Sequence, residues 1–167
     1  MSRIADVFRF AAGGGVLEGE VAVMRLGRLL DQLADNGGVV RWQLCGGTDA
    51  EGKPRLDLAI NGQLVLYCQR CLGGLDWELK IETALLPVRT GQDLPENELE
   101  NDEADVVETD SDDGLDVLSL VEDEIILALP IAPRHPDCGM PKAQTSGGAR
   151  RDSPFAVLTG LQGKEIL

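Results

Sequence analysis

The stretch that decides the fold is residues 55–86, which reads RLDLAINGQLVLY (55–67), CQRCLGG (68–74) and LDWELKIETALL (75–86). On the first arm the leucines and the isoleucine fall mainly on even positions, and on the second arm the large apolar residues fall mainly on odd positions. Alternation with a period of two is typical of a strand with one buried and one solvated face. Two such runs joined by a short connection containing glycine predict an antiparallel hairpin, with Cys68 and Cys71 at its turn.

A third strand is expected immediately before this hairpin. Val40, Trp42 and Leu44 alternate with polar residues, and a connector rich in turn-forming residues follows them. Residues 39–86 are therefore predicted to form a three-stranded antiparallel meander. Shorter strands are predicted at 7–10, before three consecutive glycines, and at 105–108, at an edge of the sheet.

Two helices are expected to pack on this sheet. From Gly19 to Leu33 the apolar residues recur every three or four positions, which is the spacing of an amphipathic helix. A second helix is predicted from Leu115 to Leu129, with Asp113 as its N-cap and Pro130 as its stop. The predicted fold class is α+β, with the meander at the centre of an antiparallel sheet and two main helices packed on it.

The length and composition suit one domain. The 167 residues are 43% hydrophobic, enough for a core, and residues 1–167 are expected to fold as a single domain. Charged residues interrupt every apolar run before it reaches the ~18–20 residues of a membrane span. They also stand where the apolar region of a signal peptide would lie. The expectation is a cytoplasmic protein that does not enter a membrane.

Negative charge is concentrated in one segment. Residues 91–114 contain 11 acidic side chains and no Lys or Arg, whereas the rest of the chain has 18 acidic and 15 basic residues. This segment has few apolar residues, so a largely disordered acidic loop is expected. Residues 134–153, rich in Gly, Ser, Pro and basic groups, are expected to form a mobile segment. The acidic segment would repel phosphates and is compatible with a basic protein partner.

Two pairs of possible metal ligands occur in the sequence. Cys68 and Cys71 form a C-x2-C pair at the hairpin turn, and His135 and Cys138 form an H-x2-C pair after the second helix. A C-x2-C turn can direct two thiolates at one metal ion, and both pairs together would complete a closed, structural Cys3His zinc site. The alternative is that Cys68 and Cys71 are small, partly buried thiols that shape a tight turn.

A catalytic role for these cysteines and histidine is less consistent with the sequence than a structural one. Redox-active C-x2-C pairs lie at the start of a helix, where the helix dipole lowers the thiol pKa, whereas Cys68 and Cys71 lie between two predicted strands. His135 is the single histidine, and no motif supports a Ser-His-Asp arrangement or a phosphate-binding loop. No catalytic residue and no small-molecule substrate are expected.

Glu122, Asp123 and Glu124 are consecutive carboxylates on the second predicted helix. The expected arrangement is a solvated face with one structural ion pair to Arg70 or Arg89, because a catalytic pair would need a pocket and a perturbed pKa. The candidate partner-binding residues are these three carboxylates and five charged residues of the acidic and C-terminal segments: Asp112, Asp113, Arg134, Arg150 and Arg151.

Several phrases resemble a known family. They are LYCQRCL (66–72), LLPVRT (85–90), the acidic segment, GLDVLSLVEDEIILALPIAPRHPDC (114–138) and PFAVLTGL (154–161). In this order they are similar to the YceD family, the large ribosomal RNA subunit accumulation proteins of bacteria and plastids. The phrase VEDEIILALP is the long and specific one, and residues 1–50 contribute only a compatible strand–helix–strand pattern.

The resemblance implies a non-enzymatic role in accumulation or processing of large-subunit (23S) ribosomal RNA, hence in ribosome biogenesis. It implies a partner in the large-subunit precursor, either rRNA or a basic ribosomal or processing protein. Some relatives carry a longer cysteine-rich segment after the helix, and the single His and Cys of PRHPDCGMPKAQ weaken the zinc prediction. Two alternatives stay open: an acidic adaptor or nucleic-acid mimic that binds a basic protein, and a thiol-redox or zinc-dependent enzyme.

Overall fold

The computed structural model describes residues 3–91, 104–109 and 114–138. These residues form a mixed α+β fold, which confirms the predicted class. The helices are α1 (Val7–Ala12) and α2 (Val117–Ala128). The strands are β1 (Arg3–Ile4), β2 (Val16–Ala22), β3 (Leu33–Asp35), β4 (Val39–Thr48), β5 (Pro54–Tyr67), β6 (Gly74–Arg89), β7 (Asp105–Thr109) and β8 (Leu115–Asp116).

The main sheet has the strand order β2-β4-β5-β6-β7. The short strand β3 is its sixth strand and pairs with the end of β5, near Val65 and Leu66. Strands β4, β5 and β6 are antiparallel neighbours, so that Trp42 lies opposite Ile60 and Ile60 opposite Ile81. Strand β7 runs parallel to β6, so the sheet is mixed rather than purely antiparallel as predicted. A parallel pair requires a crossover of about a dozen residues or more, and residues 90–104 separate the two strands in sequence.

The core lies on one face of the sheet. The buried side chains of the three central strands include Val40, Trp42, Leu44, Leu56, Leu58, Ile60, Leu64, Leu66, Leu79 and Leu85. Residues of α2 such as Val121 and Ile125 join the same cluster. Burying each large aliphatic side chain stabilises the fold by ~1.5–3 kcal/mol before the entropic cost of folding. The opposite face carries exposed polar residues, including Arg41 and Asn61.

The predicted helix from Gly19 to Leu33 is wrong. Its first part belongs to β2, which pairs with β4 and sets Glu20 opposite Arg41. The rest forms two short 3₁₀ turns and β3. The apolar residues of this stretch still reach the core. A strand forms at 16–22 because its backbone pairs with the N–H and C=O groups along the outer edge of β4, and a helix at this position would leave those groups of β4 without backbone partners. Gly19 also lies so close to the Trp42 indole that a Cβ would stand 2.8 Å from a ring carbon.

The predicted strand at 7–10 is also wrong, because this stretch lies in α1. Asp6 is the N-cap, and its carboxylate accepts a hydrogen bond from the Arg9 N–H at 2.8 Å. Such a cap satisfies a backbone donor that the first helical turn leaves free. The buried faces of Val7 and Ala11, four residues apart, then pack into the core.

Helix α2 begins later than predicted, and its N-cap is Asp116 rather than Asp113. The Asp116 carboxylate accepts hydrogen bonds from the N–H groups of Leu118 at 3.0 Å and Ser119 at 3.3 Å. The start is delayed because Leu115 and Asp116 first pair with β1 as strand β8. Asp113 lies outside the described residues.

The short edge strand expected at 105–108 is confirmed as β7. Of the rest of the predicted acidic loop, the structure describes only Gly91, Ala104 and Gly114. The predicted mobile segment is outside the described residues beyond residue 138. Within the described ranges, neither helix has the length and apolar character to cross a membrane. That residues 1–167 form one domain stays a prediction.

Candidate metal centre

The turn between β5 and β6 places the side chains of Cys68 and Cys71 close together. The Cys68 N–H donates to the Gly73 carbonyl at 2.9 Å, and the Leu72 N–H donates to the Cys68 carbonyl at 2.8 Å. These bonds close the turn around Leu72, whose φ is 60°. The left-handed region costs a residue with a Cβ about 1–2 kcal/mol, so surrounding contacts must hold this turn in shape. The Leu72 side chain itself is 69% exposed.

The segment after α2 returns to this turn. The Gln69 N–H donates to the Pro133 carbonyl at 2.8 Å. Two residues later, the His135 ring reaches the Gly74 carbonyl, with Nε2 at 2.9 Å from the oxygen. These two bonds bring His135 and Cys138 to the cysteine pair at the hairpin turn.

Four side chains therefore meet at one point. One potential ligand atom from each of Cys68, Cys71, His135 and Cys138 lies within 4.8 Å of all the others. The Cys68 and Cys138 Sγ atoms are 3.6 Å apart, and the Cys71 Sγ atom is 3.4 Å from His135 Nδ1. Cys68 is buried and the other three are half-buried. The fourth cysteine, Cys45, lies on β4 opposite Asp57 and is outside this group.

The tautomer of His135 follows from its partners. A carbonyl oxygen can only accept a hydrogen bond, so the neutral His135 carries its proton on Nε2 and donates it to Gly74. The Nδ1 lone pair then faces the thiols. Metal-bound histidines commonly show this arrangement, with the second ring nitrogen donating to a carbonyl or a carboxylate.

The thiols have different electrostatic environments. Burial opposes ionisation of Cys68, but hydrogen bonds from the backbone of Cys71, His135 and Arg70 outweigh it and lower the Cys68 pKa to about 5. Burial raises the pKa of Cys138, and the neighbouring Cys68 sulfur raises it further. The pKa of His135 is raised first by its hydrogen bond with Cys68 and then by the Gly74 carbonyl. The site thus favours an anionic sulfur at Cys68.

Glu122 is engaged inside the chain. Its Oε1 accepts from the backbone N–H groups of Arg28 at 2.7 Å and Leu29 at 3.3 Å, and its Oε2 accepts from Arg28 Nε at 2.9 Å. The same guanidinium donates to Asp123 and to the Ser119 carbonyl. The hydrogen bonds of the guanidinium with Glu122 and then with Asp123 raise the pKa of Arg28.

The expected ion pair of this helix is therefore with Arg28, and the choice of Arg70 or Arg89 is wrong. Arg89 instead lies over the Phe8 ring, 5.0 Å from its centroid. Arg28 was missed because it fell within the wrongly predicted helix. The sequence contains many basic residues that could pair with these carboxylates. Arg28 is the partner because residues 23–33 pack against α2.

Glu124 is also buried, with 9% of the residue exposed against 8% for Glu122. It differs from Glu122 in its electrostatic surroundings. Burial raises the pKa of its carboxyl group, and the charges of Asp105 on β7 and Asp123 add to the effect. This acid lies near the parallel edge strand, on another side of α2 from the one that binds Arg28.

Of the remaining candidate partner-binding residues, the structure describes only Arg134. Arg134 is exposed beside the four-ligand cluster, directly before His135. Asp112, Asp113, Arg150 and Arg151 lie outside the described residues. Their roles stay predictions.

The structure defines a small α+β protein with a mixed sheet and a cluster of three thiols and one imidazole at a hairpin turn. The family model described as "Large ribosomal RNA subunit accumulation protein YceD" matches residues 56–162. The chain belongs to the YceD family, and the matched region contains β5 from Leu56 onward, β6 to β8, α2 and all four cluster residues.

The chain is also similar to the large ribosomal RNA subunit accumulation protein YceD of Haemophilus influenzae. The two are 31% identical over 125 residues, which cover 68% of this chain and 65% of the relative. The chain thus spans slightly less than two thirds of that relative's length. No solved structure matches the chain significantly.

Proposed function

We propose that this protein is a non-enzymatic factor for the accumulation or processing of large-subunit (23S) ribosomal RNA, and so acts in ribosome biogenesis. The observation that carries the proposal is the family match over residues 56–162. The similar Haemophilus influenzae protein bears this role in its name.

The geometry of the cluster supports action by binding. Four protein ligands complete a tetrahedral shell, whereas catalytic zinc sites keep one position for water or substrate. The carboxylate of Glu122 is likewise occupied by two backbone N–H groups and a guanidinium. The cluster residues and Glu122 stabilise the fold around α2. The proposed contacts with partners are made by the charged surface.

The acidic segment is the proposed contact for basic ribosomal or processing proteins. It holds 11 of the 29 acidic residues of the chain. Its strand β7 lies at the edge of the sheet and carries Asp105 and Glu108. The basic residues from Arg134 onward are the proposed contact for rRNA phosphates, since each such contact requires a cation.

Deletion of the encoding gene tests the proposal. The expected result is a lower ratio of large- to small-subunit rRNA and an accumulation of unprocessed large-subunit precursor, measured by ribosome profiles and RNA blots. Re-expression of the wild-type chain should restore the ratio. An unchanged ratio in the deletion strain would contradict the proposal.

The alternative is an acidic adaptor or nucleic-acid mimic that occupies the basic site of another protein. The concentration of charge in residues 91–114 favours it, because that segment contains no Lys or Arg. Purification of the tagged chain at low salt separates the two functions. Recovery of one basic, non-ribosomal protein without ribosomal material would support the adaptor.

A further inference from the structure

The dimensions of the four-residue cluster match those of a metal site. With Zn–S bonds of about 2.3 Å and a Zn–N bond of about 2.0 Å, tetrahedral geometry separates two sulfurs by roughly 3.8 Å and a sulfur and a nitrogen by roughly 3.5 Å. The corresponding distances here are 3.6 Å between Cys68 and Cys138 and 3.4 Å between Cys71 and His135. The other pairs of ligand atoms also lie within 4.8 Å of one another, so the four atoms can surround one ion once the longest of these separations closes by up to about 1 Å.

We propose that Cys68, Cys71, His135 and Cys138 bind one Zn²⁺ ion in a closed structural site. The ion joins the β5–β6 turn to the segment that follows α2. Cys68 and Cys138 are 70 residues apart in the sequence, so the site fastens a distant part of the chain to the hairpin. This role goes beyond the proposed function and does not depend on it.

The surroundings of the ligands support a metal rather than a disulfide. A disulfide would bring two sulfurs to about 2.0 Å and would involve no imidazole. Here a third thiol and His135 Nδ1 converge on the same point. The Gly74 carbonyl lies 2.9 Å from His135 Nε2 and orients the imidazole from outside, with Nδ1 3.4 Å from the Cys71 sulfur.

The ligand set favours zinc among the common divalent ions. Three thiolates and one imidazole are soft and borderline ligands, which exclude Mg²⁺ and Ca²⁺ as the preferred ions. A closed Cys3His set in tetrahedral arrangement is a common structural zinc site.

Metal binding by the full-length chain tests this directly. The protein is purified in a reducing buffer without chelator, and its metal content is measured by elemental analysis and native mass spectrometry. The expected result is one zinc ion per chain. Cys138→Ser should weaken zinc binding at least about tenfold in a competition titration, whereas Cys45→Ser, which alters the cysteine outside the cluster, should leave it unchanged.

A second measurement avoids dependence on the folding of any variant. Wild-type protein is stripped with a chelator, checked by circular dichroism and titrated back with zinc alone. Trypsin should cleave after Arg134 several-fold faster in the stripped protein and at the original rate after zinc is restored. Cleavage after Arg41, in the middle of the sheet, should not change.

Three outcomes would overturn the proposal. They are wild-type protein that neither retains nor takes up zinc under reducing conditions, equal zinc affinity in the wild type and Cys138→Ser, and iron in place of zinc at equal occupancy. A cleavage rate at Arg134 that is independent of zinc would overturn the role of the ion as a fastening.

Discussion

At the scale of the residue, the environment of each charged side chain decides its role. Glu122, Asp123 and Glu124 are adjacent in sequence, yet they differ in burial and partners. Glu122 accepts three hydrogen bonds from Arg28 and Leu29. Asp123 is half-exposed beside the same arginine. Burial of Glu124 opposes its ionisation, and the nearby acid Asp105 adds to this effect.

Glu124→Gln should change the pH dependence of stability. The folded state raises the pKa of Glu124 above its ordinary value of 4.5, so the folded chain holds this proton more tightly than the unfolded chain. The stability that Glu124 contributes is therefore present at low pH and is lost as the pH rises through the folded-state pKa. The glutamine variant should be more stable at pH 7, by on the order of 0.5 kcal/mol for a relieved like-charge contact, and little changed at pH 4.

Chemical denaturation at both pH values measures this difference. The matched control is Glu78→Gln, on the exposed face of β6. Its free energy of unfolding should equal that of the wild type at both pH values. A Glu124→Gln variant that is less stable than the wild type at pH 7 would show that its carboxylate is favourable in the fold.

At the scale of the element, α2 is held by contacts far apart in sequence. Its N-terminus is capped by Asp116, and its middle is bound to residues 28–29 through Glu122. The chain that leaves its C-terminus is bonded to the hairpin turn through Pro133. The helix position therefore depends on the irregular 23–33 segment as much as on its own apolar face.

Replacing Glu122 tests this attachment. Glu122→Ala leaves the partly buried N–H groups of Arg28 and Leu29 without their acceptor, and an unsatisfied buried donor costs about 1–3 kcal/mol. We expect a loss of about 2–4 kcal/mol in the free energy of unfolding, because a charge-assisted bond is removed as well. Asp123→Ala removes only a half-exposed ion pair, and such pairs contribute ~0–1 kcal/mol.

Urea unfolding of both variants provides the comparison. The two substitutions remove adjacent carboxylates that contact the same arginine, so their difference isolates the backbone attachment. Equal losses in the two variants would contradict the importance of the Arg28 and Leu29 N–H groups.

At the scale of the whole molecule, charge is separated along the chain. The net charge is −14, yet the acidic excess lies mostly in residues 91–114, and basic residues follow the cluster. The two charged segments leave the described fold at different elements, β7 with its flanking residues and the cluster after α2. The proposed function assigns the acidic segment to basic proteins of a large-subunit precursor and the basic segment to its phosphates.

Charge variants should distinguish the contact with protein from the contact with RNA. If the acidic segment binds basic proteins, Asp112→Asn combined with Asp113→Asn should lower the recovery of ribosomal proteins by about two- to fivefold at low salt, since removal of charges mainly weakens steering and encounter. Arg150→Ala combined with Arg151→Ala should lower the recovery of rRNA after mild crosslinking.

Purification of tagged variants from cells, followed by mass spectrometry and RNA quantification, measures both effects. The control combines Glu18→Gln with Arg41→Ala on the exposed face of the sheet, which removes one charge of each sign. Equal recoveries for all three double variants would show that neither charged segment makes the main contact.

The sequence by itself determined the strands of residues 39–86, the existence of α2 and the identity of the four cluster residues. Strands with one buried face reveal themselves through their period of two, and C-x2-C and H-x2-C pairs are visible in any local window. These signals depend only on near neighbours in the chain.

Only the tertiary structure decided the conformation of residues 19–33, the partner of Glu122 and the approach of His135 and Cys138 to the two cysteines of the hairpin turn. The apolar spacing of 19–33 suits a helix, but the unpaired backbone of β4 stabilises a strand at 16–22 instead. Arg28 then reaches Glu122 across 94 residues of sequence, and His135 reaches Cys71 across 64. Such contacts arise from the packing of distant segments around one core, which no local periodicity encodes.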